Sequence, residues 1–164
     1  KLSLSYEASL KKLHSKPNYQ LASISGDFYY TPHSRHTWRG YGFVGMSWDN
    51  PPLYKYFNQG RPEYFIGADY DQLLCKRINL ARLEYRWNFK KNIFFHLIFN
   101  HAFDMHYSLP GRNYKWNDMS GWGIGVTLLS PVGPLKITYG NGDKKFLGLR
   151  GRRDHLYFVL GYCF

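Results

Sequence analysis

No stretch of this chain approaches the roughly 18 consecutive apolar residues that a membrane-spanning helix needs. Mean hydropathy is −0.48, although 44% of the residues are hydrophobic and 20% aromatic, so the apolar side chains are interleaved with polar ones rather than pooled. Helices and closed barrels alone satisfy their backbone inside lipid, which leaves a barrel as the one route to a membrane. Cysteine is scarce. Cys75 and Cys163 lie far apart in different expected strands and make no disulfide framework. The sequence has no Cys-x-x-Cys, no His-Glu-x-x-His and no Gly-x-Ser-x-Gly, so its seven histidines suggest neither a metal nor a cofactor, and the chain itself is expected not to be an enzyme. A Ser/His/acid hydrolase would have to draw on His96, Asp104 and a serine brought together on adjacent strands. Acidic residues number half the basic ones, 11 against 22, for a net charge of +11. Those cations are scattered over strands and turns apart from Lys144, Lys145, Arg150, Arg152 and Arg153, which suits anionic headgroups or acidic protein surfaces better than nucleic acid.

What is present is alternation. Along a strand, successive side chains point to opposite faces. In Asp154–Phe164, Leu156, Phe158, Leu160, Tyr162 and Phe164 share one face, while His155, Tyr157, Val159, Gly161 and Cys163 share the other. In 78–89, Ala81, Leu83, Tyr85, Trp87 and Phe89 oppose Arg82, Glu84, Arg86 and Asn88. In 93–104, Ile93, Phe95, Leu97, Phe99 and Phe103 oppose His96, Asn100 and Asp104, and the offset of five sets His101 across from His96. Trp87 and Phe89 end beside Lys90 and Lys91, as an aromatic girdle with snorkelling cations would. Further strands are expected at 2–10, 20–30, 63–74, about 121–129, 135–139 and in the closing segment. Glycines at 121, 123 and 125 share the inner face of theirs and leave room for something to lie against the wall. Ser108–Asn117 is expected as a polar loop, and Gly140-Asn141-Gly142-Asp143 as the start of the last one. Between Thr31 and Pro62 the alternation fails among prolines and glycines, which predicts one long functional loop. The expected fold is all-β: an antiparallel transmembrane β-barrel segment of about eight strands spanning 1–164, in the bacterial outer membrane.

From Gly121 to Gly140 the chain reads GWGIGVTLLSPVGPLKITYG, with a Ser130-Pro131-x-Gly133-Pro134-Leu turn between the two strands before the last, and it then closes on an aromatic strand. Here it resembles the Omp85 superfamily of outer-membrane insertases, two-partner secretion transporters and barrel-bearing patatin-like phospholipases. The resemblance implies a 16-stranded barrel of which this chain is the carboxy-terminal half. It also implies an inward loop with an Arg-Gly-Tyr tip, matched by Arg39-Gly40-Tyr41, whose arginine pairs with a wall glutamate, matched by Glu84 in Leu83-Glu84-Tyr85. Phe65-Ile66-Gly67 lies closer to that wall strand and is a rival tip. The family's next wall strand reads Phe-x-Asp-x-Gly, whereas here Phe99-Asn-His101-Ala-Phe103 carries His for Asp and Phe for Gly.

The function this implies is insertion or translocation of protein through a lateral seam closed by the terminal strand. The alternatives are the membrane anchor of a patatin-like phospholipase and an independent small outer-membrane barrel. The chain contains no POTRA-like or catalytic domain, and it begins without Met or a signal peptide, as a processed product or a piece of a longer protein would. Its expected partners are outer-membrane lipid, the rest of its own barrel or a second chain completing it, and a protein client.

Overall fold

A computed structural model describes residues 1–9, 18–49, 51–69, 73–109, 112–131, 133–146 and 149–161. Eight strands form one antiparallel sheet: β1 (Leu2–Ser9), β2 (Tyr19–His33), β3 (His36–Asp49), β6 (Arg77–Lys90), β7 (Ile93–Leu109), β8 (Arg112–Ser130), β9 (Gly133–Phe146) and β10 (Leu149–Leu160). Each strand pairs with its neighbour in chain order, so the sheet is a continuous meander interrupted only by the segment between β3 and β6. That segment holds a single 3-10 turn (Leu53–Lys55) and a two-stranded ribbon, β4 (Phe57–Asn58) with β5 (Leu74–Cys75). The connections β2–β3 and β6–β7 are two residues long and lie, with the β8–β9 hairpin, at one end of the sheet. The β3–β6 segment leaves from the other end. Among the described residues β1 and β10 each have one paired neighbour and one open edge.

Four expectations about elements are corrected. Residues 31–62 are not one loop: β2 runs on to His33 and 36–49 is a full strand in the middle of the sheet. Its glycines disguise it, because Gly40 and Gly42 lie on the outward face with open space around them, while Gly45 lies under the Phe43 and Phe57 rings. Residues 63–74, expected as a strand, belong instead to the segment between β3 and β6, and Phe65, Ile66, Ala68 and Leu73 there are buried under the sheet. Strand pairing also continues through most of 108–117 and through 140–146, where loops were expected.

The two faces of the sheet differ sharply. Cross-strand partners share a face, and one face carries Leu4, Ile24, Val44, Leu83, Leu97, Phe99, Ile124, Ile137 and Phe158, all exposed. Leu4 is 80% and Leu97 55% accessible. Trp38, Tyr85, Trp87, Phe89 and Phe95 cluster on this same face at the short-turn end. The opposite face carries the polar residues of the wall and is covered by the β3–β6 segment. Beneath that cover a small apolar core forms from Tyr41, Phe43, Phe65, Leu73, Leu80 and Met105 with their neighbours.

Cys75 belongs to this core. Burial pushes its thiol up to about 12, so almost none is thiolate at neutral pH. In a Cys163→Ser background, Cys75 should resist maleimide in the folded protein and label fully only after denaturation. Native labelling at the rate of a free thiol would show that the segment does not stay seated.

Candidate functional site: the inner wall and its inserted segment

The inward residues of five strands meet the inserted segment in one polar cluster. Glu84 on β6 is its centre and only 7% accessible. Arg82, two residues away on the same face, donates to Glu84 Oε2 at 2.9 Å and through its second terminal nitrogen to the Pro62 carbonyl at 2.7 Å. His96 on β7 meets Glu84 Oε1 at 2.9 Å through Nδ1, and its Nε2 meets the Thr127 hydroxyl at 2.9 Å. A carboxylate only accepts, so Nδ1 is the donor in the bond to Glu84. Lys136 on β9 and Arg39 on β3 approach the same carboxylate at 3.9 and 3.8 Å.

Arg39 and Glu84 are therefore brought together as the resemblance implies, but by a different route. Arg39-Gly40-Tyr41 is part of the wall, paired in register with Leu83-Glu84 and Arg82 across β3–β6, and is not a loop tip. Arg39 has its closer partner in Asp27, at 2.7 Å, and its guanidinium lies near the Tyr29 and Tyr41 rings. The deeply buried guanidinium is Arg82, supplied by the wall strand, and it reaches the inserted segment through a backbone carbonyl. Arg86 also lies on the inward side of β6 but is exposed, with its guanidinium over the Phe94 ring. Asp104 stands apart from the cluster. It occupies a bulge with φ +52° and pairs with Arg77 at 2.9 Å.

The tip of the inserted segment is Ile66-Gly67. Asn100 on β7, fully buried, accepts the Ile66 N–H at 2.8 Å and donates to the Ile66 carbonyl at 3.3 Å, as a neighbouring strand would. The tip lies directly on the glycines of β8 and β9. A methyl group at Gly121 would overlap the Ile66 carbonyl, and one at Gly142 would overlap the Gly67 carbonyl. Gly67 itself has φ +85° with the backbone of Asn141 and Gly142 against it, so both its conformation and its packing call for glycine. The space expected beside the inner-face glycines thus takes a backbone, and its width is set by the absence of side chains on both partners.

The Ser130-Pro131-x-Gly133-Pro134 turn closes the β8–β9 hairpin, with the Ser130 hydroxyl donating to the Gly133 carbonyl at 2.6 Å and Gly133 at φ +126°. It also receives the end of β10, because Gly161 N–H donates to the Pro134 carbonyl at 3.0 Å. Leu156, Phe158 and Leu160 of the closing strand point outward and are exposed, while Tyr162 and Phe164 lie outside the described residues. Asp104 is not brought to His96, whose imidazole lies between the Glu84 carboxylate and the Thr127 hydroxyl. On the outward face His101 meets the Ser120 hydroxyl at 2.9 Å, but Asp143 accepts the Ser120 backbone N–H instead of orienting the imidazole. Among the described residues no three His, Cys, Asp or Glu side chains are grouped to hold a metal ion. Neither Asn100 nor Arg82 stood out in the sequence as an anchor for the tip; the signal for Asn100 was a fully polar amide at an inward position facing Gly121 across the ladder. Set against known proteins, the chain matches no family model and no curated protein.

Proposed function

We propose that this sheet is part of the wall of an outer-membrane β-barrel of the Omp85 type, which inserts or translocates protein through a seam along β10. The observation that carries the membrane half of this reading is the outward face, where exposed Leu, Ile, Val, Phe and Trp side chains run across all eight strands. Water-soluble monomers rarely leave a continuous apolar patch beyond a few hundred Å² uncovered, whereas a barrel wall presents such a band to lipid, bordered by aromatic girdles. The short connections then mark the periplasmic end and the inserted segment enters from the extracellular one. Among the described residues β1 is not paired with β10, and an eight-stranded ring has an interior filled by its own side chains. A wall that also holds the β3–β6 segment therefore requires further strands, from the rest of its own barrel or a second chain. An open, amphipathic edge on β10 is what an incoming strand would extend.

Two measurements test the two halves. Leu97→Arg, in the middle of the outward face of β7, should cost the folded protein about 2–4 kcal/mol if that position meets lipid near the midplane. The same change should cost less than about 0.5 kcal/mol on a water-exposed surface, and that result in lipid vesicles would remove the membrane assignment. For the activity, the full-length protein reconstituted in liposomes should speed insertion of an unfolded small β-barrel over protein-free liposomes. Equal rates in both would overturn the insertase reading while leaving the barrel intact.

A further inference from the structure

We infer that the inserted segment is a clasp on the edge strand, holding one half of β10 against the wall and leaving the other half free to peel. The inference rests on the seam reading above and adds what governs that seam. Among the described residues β10 has a ladder to β9 alone, so half its backbone groups point to an open edge. Its other support comes from inside. The Gly67 N–H donates to the Tyr157 hydroxyl at 3.1 Å, and that hydroxyl donates to the Ala68 carbonyl at 3.4 Å. Four residues further up the strand, Arg153 Nη1 lies 3.1 Å from both carboxylate oxygens of Asp69.

The tip is in a position to hold because it is itself anchored on β7, three strands away from β10. Asn100 pairs with both backbone groups of Ile66, the glycines of β8 lie against Ile66 and those of β9 against Gly67. Force on β10 at Tyr157 or Arg153 is therefore passed to β7, not only to β9. Below Tyr157 the support stops. A cavity lined by Pro62, Ile66, Lys136, Val159 and Gly161 separates the segment from the end of the strand. Among the described residues only the β9 ladder and the Gly161–Pro134 bond hold the edge there. Local opening follows the weakest set of contacts, so separation from β9 begins at Gly161 and Val159 and is arrested at Tyr157.

Hydrogen exchange on the full-length protein in lipid nanodiscs tests this. In the wild type, amides of 153–157 should exchange more slowly than those of 159–161. Combining Tyr157→Phe, which keeps the ring, with Asp69→Asn removes the hydroxyl bonds and the charge pair. Exchange at 153–157 should then rise about five- to tenfold or more, the loss expected for one or two hydrogen bonds, with β7 and β8 unchanged. Unchanged exchange at 153–157, or equal loosening across the whole sheet, would overturn the clasp. Tyr157→Phe alone provides the same comparison if the double variant assembles poorly. The readout involves no client, so a protein that fails the liposome assay yet shows the asymmetric exchange loses its insertase function and keeps its clasp.

Discussion

Glu84→Ala should destabilise the folded protein by about 3–5 kcal/mol, the cost of removing one partner from a buried charge cluster. One carboxylate serves four groups here. It bonds Arg82 and His96 directly and lies within 4 Å of Arg39 and Lys136. The Arg82 side chain is 1% accessible, so without Glu84 its charge has no route to water and loses the carboxylate bonded to it, keeping its bond to the Pro62 carbonyl. Arg39→Ala should cost much less, because its main partner is Asp27 and both side chains retain some solvent. A double-mutant cycle separates the two: Glu84 should couple strongly to Arg82 and weakly to Arg39. The check is a denaturation midpoint in detergent or the heat-modifiable mobility of the folded form. A loss below about 1 kcal/mol for Glu84→Ala would mean that water reaches the cluster and that the inserted segment does not cover it.

Gly121→Val should have the second large effect, and a local one. The added side chain enters space that the Ile66 carbonyl and the Asn100 amide already occupy. Backbone cannot yield as a side-chain end does, so the tip must lift, which adds the loss of the Asn100 bonds to the 1–3 kcal/mol typical of overpacking. The sheet itself keeps its ladder, so the first sign should be protease cleavage within 59–69 and not loss of the sheet. Gly142→Ala should act in the same way through Gly67. Gly40→Ala is the contrasting case: it has open space around it and should change neither stability nor cleavage. Were Gly40 the tip of an inward loop, as the Arg-Gly-Tyr spelling suggests, the two substitutions would exchange their effects.

These contrasts show what could be read from residues in order. Strands β6, β7 and β10 were legible because each places apolar side chains at every second position with charge or amide between, and that period reports a two-faced environment directly. The glycines of β8 announced a close approach, since nothing else explains three of them on one face. Strand β3 was not legible, because Gly40, Gly42 and Gly45 interrupt the pattern and imitate a flexible loop. Phe65, Ile66 and Ala68 misled in the opposite sense, since apolar residues in sequence read as strand whether they belong to a sheet's apolar face or lie beneath its polar one.

By itself the sequence determined the all-β class, which face of each regular strand is apolar and the position of the turn that closes the β8–β9 hairpin, because all of these depend on neighbours in the chain. Tertiary structure alone decided which guanidinium occupies the buried site, which segment lies inside the wall and which residues hold it. Arg39 follows Trp38 and Arg82 precedes Leu83, so each is a basic residue beside a large apolar one, and the two differ in what the β3–β6 segment covers. Pairings between residues tens of positions apart are selected by which groups can be desolvated together, and that is a property of the assembled wall.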